Sequence, residues 1–405
     1  MIIPDNLLKN KKILLGVTGS IAVYKSLELT RLFIKAGAQV RVVMSDSAKK
    51  FVTPLSFETL TSNKVLDDTN ESWVNDHNHI KTSEWADLFV IAPATANTIA
   101  KLANAIADNI LLQCALASPS KKLLAPSANT NMLENPITQS NIKILETANY
   151  ELVNTQVKEL ACKTTGDGAM AEPIDIFWHA TRILLQNTFY KNRSVIVTGG
   201  GTIEKIDEVR YISNFSSGKM ASAMASALYS LGADVHLIST KFEDNIPKNI
   251  HTTTVQSSAK MMQNLVSSIK VAKIEKTPYL FMAAAVSDYV PKNIEEGKLK
   301  KDTLGNTFDL ALTKNIDILD SINKEGIITV GFKAEMDASQ AQSNAKSMLK
   351  RKKLDAVCLN ILKDSSSFGS DTNAIEFITK NKLESLQDTD KLTLAFEILK
   401  YAQEI

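Results

Sequence analysis

At 405 residues the chain exceeds what one hydrophobic core usually serves, so two domains are expected. Lys plus Arg at 46 against Asp plus Glu at 44 leaves a net charge of +2, too even for general affinity to nucleic acid or a membrane surface; any anionic ligand must be held locally. A hydrophobic share of 44% with 22% charged residues excludes a disordered or fibrous class.

Three cysteines, Cys114, Cys162 and Cys358, are spaced too widely for a disulfide framework or a paired zinc pattern, which points to a reducing compartment. Met1 to Lys12 lacks a signal-peptide apolar stretch, and nowhere are there roughly 18 uninterrupted apolar residues for a membrane span. A cytoplasmic location follows as the expectation.

In chain order, β-rich runs at Lys12 to Val17, Gln39 to Met44, Asp87 to Ala92 and Lys122 to Ala125 read as parallel strands, with the low polar alternation expected when helices cover both faces. Between the first two, Ala22, Leu29, Leu32, Phe33 and Ala36 share a helical face, and Gly37 suits the stop. Ile174 to Gln186 is helical, and the polar stretch Asn187 to Arg193 marks the seam, placing the domains at 1–189 and 190–405. The scheme restarts with Ser194 to Thr198, Asp234 to Ser239, Tyr279 to Ala285, Ile327 to Gly331 and Ala356 to Asn360. Its first helix carries Ala221, Met224, Ala225, Leu228 and Leu231 on one face and ends at Gly232. Alternating strand and helix predicts an α/β protein of two doubly wound, three-layer Rossmann-like domains. The basic run Lys350 to Lys353 reads as a solvated helix face.

Each half opens with a strand running into a glycine-rich turn, Gly16 to Ser20 and Gly199 to Thr202. Either turn could bring backbone amides to a phosphate at a helix N-terminus, and either could be a tight structural turn. Neither has the GxGxxG spacing, with an acidic residue about 20 positions on, that a nicotinamide-dependent oxidoreductase would need.

The words around the turns are more specific. Gly16 to Lys25 reads GVTGSIAVYK, Phe51 to Thr61 reads FVTPLSFETLT, His79-Ile80 precedes Trp85-Ala86-Asp87, and Ala92 to Thr98 reads APATANT. This half resembles the flavin-dependent cysteine decarboxylases, which are flavodoxin-like. The second half adds IDEVRYISNFSSGKM from Ile206, AAAVSDY from Ala283, KLKK from Lys298 and GFKAE from Gly331. Together the halves resemble the bifunctional phosphopantothenoylcysteine decarboxylase and phosphopantothenate-cysteine ligase family of bacterial coenzyme A synthesis.

For the first half the resemblance implies FMN, held by Gly19, Ser20, Ser45, Thr95 and Asn97; Ser45 and Thr95 have helix capping as their bland alternative. A flavin supplies the electron sink that decarboxylation of an amide-linked cysteine otherwise lacks. His79 matches the active-site histidine. Nearby His77 raises a metal pair, disfavoured with five histidines in all and no cysteine or carboxylate beside it at ligand spacing. Asn129 matches the residue that holds the substrate carboxylate, with Ala128 and Leu133 departing from the usual neighbours. Cys162 matches the proton donor on a flexible clamp, or is a buried inert thiol; Lys163, Thr164 and Ala169 replace the usual clamp residues, while Gly166 and Gly168 remain.

For the second half it implies CTP with Mg²⁺, whose ligands are unknown, Lys298 acting on the developing charge and Asn214 in cysteine's attack on the acyl cytidylate. Arg210 would grip substrate phosphate or carboxylate. Ala284, Asp288, Ile316, Asp317, Ile318, Phe332 and Lys352 map onto the nucleotide pocket. Met348 stands where a second lysine is usual, which would shift the grip to Lys346 or Lys350. The substrates would be 4'-phosphopantothenate, cysteine and CTP. The resemblance also implies a homo-oligomer of trimeric decarboxylase units, with active sites shared at subunit contacts, and dimeric ligase units. The altered clamp leaves a second reading, an active ligase with an N-terminal flavin-binding scaffold.

Overall fold

The computed structural model describes residues 1–161, 163–272, 274–300, 307–362 and 369–405, so Cys162 lies outside the described residues. The chain divides into one compact unit of Ile3–Leu185 and another of Gln186–Ile405 with Met1–Ile2.

In the first unit β1 (Lys12–Val17), β2 (Gln39–Met44), β3 (Leu88–Ala94), β4 (Lys121–Pro126) and β5 (Tyr150–Leu152) form a parallel sheet in the order β2-β1-β3-β4-β5. This is the flavodoxin-like winding, whose switch point falls between β1 and β3. Its helices are α1 (Val23–Lys35), α2 (Pro54–Thr61), α3 (His79–Glu84), α4 (Ala96–Ala103), α5 (Ile110–Ala117), α6 (Thr130–Glu134), α7 (Pro136–Thr147) and α8 (Pro173–Leu185). Leu14, Phe89, Ile91 and Leu124 pack against Leu111, Leu112 and Cys114 of α5, while Phe33 of α1 meets Phe177 of α8 with ring centroids 5.8 Å apart. Those apolar runs form strands because helices cover both of their faces. An antiparallel hairpin of β6 (Gln156–Glu159) and β7 (Thr165–Ala169) stands outside the sheet.

The second unit contains β8 (Ser194–Gly199), β9 (Ile203–Lys205), β10 (Tyr211–Ser213), β11 (Asp234–Ser239), β12 (His251–Thr254), β13 (Tyr279–Met282), β14 (Tyr289–Pro291), β15 (Leu312–Lys314), β16 (Ile328–Glu335), β17 (Ala356–Ile361), β18 (Thr372–Thr379) and β19 (Leu383–Asp390). Its main sheet runs β12-β11-β8-β13-β16-β17-β18-β19, parallel through β17 and antiparallel beyond. The first six strands reproduce the Rossmann winding, three strands to each side of the switch between β8 and β13. β12, β18 and β19 were not expected from sequence: HTTT has no apolar run, and β19 shows an exposed face, as an antiparallel edge can. α9 (Lys219–Ser230), α10 (Ser258–Val271), α11 (Ile318–Ser321), α12 (Ala338–Arg351) and α13 (Lys391–Ala402) complete the layers. Gly37 and Gly232, just past α1 and α9, take φ of +88° and +100°, the left-handed stop that glycine permits.

Cys114 and Cys358 are buried and unbridged, and burial pushes the Cys114 thiol up to about 12. Among the described residues no helix is long and apolar enough to cross a membrane.

On β11 the His236 ring stacks on His251 at 4.1 Å, with its nitrogens against the hydroxyls of Thr253 and Ser268, each at 2.8 Å. Burial, then the neighbouring imidazole, pushes His236 down to about 4 from 6.5. A base with a lowered folded pKa is neutral in the fold while the unfolded chain takes up a proton, so its contribution is lost as pH falls from 6.5 towards about 4. Chemical denaturation of the full chain across that window is expected to show a shallower loss of stability for His236→Gln than for the parent.

Candidate functional site

A cavity of about 790 Å³ opens in the first unit where β1, β2, β3 and β4 end. Gly19, Ser20, Ser45, Thr95 and Asn97 all line it. Its floor is a hydroxyl network. Thr18, buried, donates to the Pro93 carbonyl at 2.6 Å and accepts the Thr95 N–H at 3.2 Å, tying the turn after β1 to the turn after β3. Ser20 Oγ lies 3.0 Å from Ser127 Oγ, adding the turn after β4. Thr95 does cap a helix, its hydroxyl accepting the Thr98 N–H at 3.2 Å, so capping and cavity lining coincide in one residue. Gly19 brings its turn against Ser47, since a Cβ there would fall 2.5 Å from that side chain's own Cβ.

Thr18 lies inside GVTGSIAVYK and Ser127 next to Ala128, and neither carries a signal of its own in the sequence; nor does the Lys101–Asp108 ion pair at 2.6 Å, which lines the same cavity. Asn129 sits beside the wall residue Ala128 and caps α6, its side-chain oxygen accepting the Asn131 N–H at 3.0 Å. The β6–β7 hairpin stands on this loop: the Gly168 carbonyl accepts the Ala128 N–H at 3.1 Å, and Cβ atoms at Gly166 and Gly168 would meet Thr130 Oγ1 and the Ala128 carbonyl oxygen, each at 2.2 Å.

His79 does not line this cavity. Its Nδ1 is 2.7 Å from Glu71 Oε1, a carboxylate partner that the sequence spacing hid because it lies eight residues away in an irregular segment. Burial pushes the Glu71 carboxyl up, but hydrogen bonds from the His79 ring and backbone outweigh it and hold it below the usual range. An anchored Nδ1 leaves Nε2 as the nitrogen for acid–base work. His77 instead lies beside Asn70, its Nε2 3.2 Å from Oδ1, and the described residues hold no cluster suited to a metal.

In the second unit a cavity of about 650 Å³ is lined by Ala284, Asp288, Ile316, Asp317, Ile318, Phe332 and Lys352 together. Lys352 reaches inward to Asp317 at 2.6 Å with only 14% of its side chain exposed, so the run Lys350 to Lys353 is not uniformly a solvated face. Burial raises Asp317, but the Lys352 ammonium overrides this and keeps the carboxyl below its ordinary value. Met348 also lines the wall; Lys346 and Lys350 do not, and Lys314 and Arg351 join Lys352 as the cations there, Arg351 being one that sequence position alone did not single out. Ser287 Oγ is buried in this wall with no partner among the described residues, suited to a polar ligand group.

Arg210, Asn214 and Lys298 stand apart from that cavity. The Arg210 guanidinium is engaged by Asp207 through Nε at 3.0 Å and by the Leu299 carbonyl at 2.8 Å, so it braces the loop beside Lys298 rather than presenting an open grip. Asn214 Nδ2 donates to the Val286 carbonyl at 3.0 Å, and Lys298 is exposed. The turn at Gly199–Gly201 is tightly packed on the side its Cβ atoms would occupy. A Cβ would lie 2.3 Å from Ala221 Cβ at the first glycine, 2.0 Å from Thr240 Oγ1 at the second and 2.3 Å from the Asn214 carbonyl oxygen at the third. Buried Thr202 repeats the role of Thr18, accepting the Ser287 N–H at 3.2 Å.

Residues 2–183 match the Flavoprotein family model, and residues 190–405 match the DNA/pantothenate metabolism flavoprotein C-terminal domain, defining a flavoprotein domain in tandem with a pantothenate-metabolism domain. The chain is 36% identical over 398 residues to the coenzyme A biosynthesis bifunctional protein CoaBC of Borreliella burgdorferi, covering 97% of this chain and 99% of that one. It is 37% identical over 404 residues to its Bacillus subtilis counterpart, covering 97% of each. A solved C-terminal domain of a coenzyme A biosynthesis bifunctional protein CoaBC aligns at 27% identity and a TM-score of 0.44, covering 54% of this chain and 97% of that one. The chain belongs to the family of coenzyme A biosynthesis bifunctional proteins CoaBC.

Thr18→Val keeps the shape but leaves the Pro93 carbonyl and the Thr95 N–H without their hydroxyl. A loss of about 1–3 kcal/mol in the unfolding free energy of the first unit is expected by urea denaturation followed at that domain's signals.

Proposed function

We infer that this chain catalyses two consecutive steps of coenzyme A biosynthesis, joining cysteine to 4'-phosphopantothenate at the expense of CTP and decarboxylating the product to 4'-phosphopantetheine. The observation that carries this is the match of both domains, in one order, to relatives at 36% and 37% identity over 97% of the chain. A first domain reduced to a flavin-binding scaffold is not favoured, since those relatives are bifunctional by name.

In the first domain FMN is the cofactor of this reading. The cavity's hydroxyls, amides and small turn residues at strand C-terminal ends fit a phosphate-bearing flavin held by Gly19, Ser20, Ser45, Thr95 and Asn97. When bound, the flavin takes up the electrons of the substrate thiol and later returns them, making the carboxylate labile in between. His79 Nε2 removes the thiol proton, with Glu71 fixing the orientation of the ring. Asn129 orients the substrate carboxylate through its amide. Cys162, by its place in the clamp, returns a proton after CO2 leaves.

Because His79 does not line its own subunit's cavity, we propose that it enters a neighbouring subunit's cavity in a trimeric arrangement. Mixing His79→Asn and Asn129→Ala proteins, unfolded and reassembled together, should then restore part of the decarboxylase activity that each lacks alone. No recovery in verified mixed oligomers would count against a shared site.

In the second domain the cavity walled by Asp288, Phe332 and Lys352 takes the nucleotide of CTP, with Ser287 Oγ supplying a hydrogen bond. Lys298 would neutralise charge as the substrate carboxylate attacks CTP and pyrophosphate departs, leaving the acyl cytidylate, with Mg²⁺ carried by the triphosphate; CMP leaves when the cysteine amine attacks. Asn214 positions the acyl group for attack by the cysteine amine.

The test supplies 4'-phosphopantothenate, cysteine, CTP and Mg²⁺ and follows pyrophosphate and CO2 separately. Both should appear. Lys298→Ala should lower pyrophosphate release by roughly 10²–10³ while leaving decarboxylation of presynthesised phosphopantothenoylcysteine intact. Pyrophosphate without CO2 from the flavin-loaded parent would overturn the decarboxylase assignment.

A further inference from the structure

A second cavity in the first unit, of about 340 Å³, lies against edge strand β2 and shares no wall residue with the hydroxyl-lined one. Arg41, Lys64, Lys81 and His77 line it, against a single carboxylate, Asp76. The Arg41 guanidinium lies 4.4 Å from the centre of the Trp85 ring, and Lys12 Nζ lies 5.9 Å from the same ring. Stacking fixes the plane of the guanidinium but uses none of its five N–H donors. Among the described residues neither the Arg41 guanidinium nor the Lys64 ammonium makes an ion pair or side-chain hydrogen bond. Lys81 is held only by Glu84, at 3.2 Å on the exposed side of α3.

Burial lowers the pKa of Arg41, a sign of lost hydration with no compensating carboxylate. His77 is pushed down as well, by burial and then by the positive charge of Lys64 and Arg41, against a hydrogen bond with the Val65 backbone and, more weakly, Asp67. In a chain whose charges otherwise nearly balance, a partly desolvated, pre-oriented arginine beside a lysine and an imidazole lacks its counter-anion. Asn63, Asn75 and Thr82 also line the wall, the Asn63 amide donating to the Val40 and Thr61 carbonyls.

We propose that this cavity is a binding site for a small phosphate anion, gripped by Arg41 and Lys64 over the Trp85 platform. Occupancy ties three pieces of chain together: β2, the segment at Asn63–Lys64, and α3, whose first residue is His79. The site is distinct from that of the flavin phosphate.

Inorganic phosphate is the probe. It is titrated into the full chain saturated with FMN, with potassium chloride of equal ionic strength as control, and tryptophan emission is followed. A saturable change is expected with phosphate and not with chloride. Arg41→Gln should weaken it by roughly tenfold or more, and Lys64→Gln by several-fold, while FMN uptake, read from its visible absorbance, stays as in the parent. Competition by pyrophosphate and by glycerol phosphate then tells whether the phosphate is free or borne by a larger molecule. If Arg41→Gln fails to fold, Lys64→Gln on the exposed rim carries the test. A response that chloride reproduces, one that never saturates, or equal binding by a folded Arg41→Gln protein would overturn the proposal.

Discussion

In each domain a buried threonine hydroxyl sits at the point where the chain leaves the first strand of the sheet. Thr18 joins the turn after β1 to the one after β3, and Thr202 joins the segment after β8 to the loop after β13. A doubly wound sheet opens a crevice where its winding reverses, because the loops from neighbouring strands there run to opposite faces. Those loops carry backbone groups that no sheet partner satisfies, and an unpaired buried N–H or C=O is costly. One short side chain closes the gap without filling the crevice, Thr18 by both donating and accepting and Thr202 by accepting. The positions of Ser20, Thr95 and Ser127 around the first cavity, and of Ser287 and Asp288 around the second, follow from that closure.

The two glycine-rich turns, alike in sequence, divide on this basis. At Gly19 the missing side chain lets the turn approach Ser47 while its backbone still faces the cavity. At Gly199–Gly201 every missing side chain is replaced by the protein's own atoms. Gly200, at φ +74°, is demanded by the bend itself.

Much of the fold was legible because the parallel strands are continuous apolar runs and the first helix of each domain shows a clean apolar face. What escaped was polar or short. β5 has three residues, β12 is HTTT, and the β18–β19 pair needs only one buried face. In the site, groups inside the glycine-turn and APATANT words converge in space, since they occupy strand ends that the winding brings together. Partners held by tertiary contact carry no local signal. Glu71 meets His79 through an irregular segment, Lys352 turns inward from a basic run to reach Asp317, and Arg210 is claimed by Asp207. Charge in a sequence says which groups exist, and the fold decides which of them are already spoken for.

The β6–β7 hairpin rests on the Ala128–Thr130 loop through two residues that tolerate no side chain, Gly166 and Gly168, while Lys163 and Thr164 lie at its far turn. Tolerance to substitution is therefore unevenly distributed along one short ribbon. Its foot is sterically locked to the loop bearing Asn129, whereas its tip meets no comparable restriction from that loop. Substitutions at Lys163 and Thr164 can therefore accumulate without disturbing the register of the foot against the Asn129 loop.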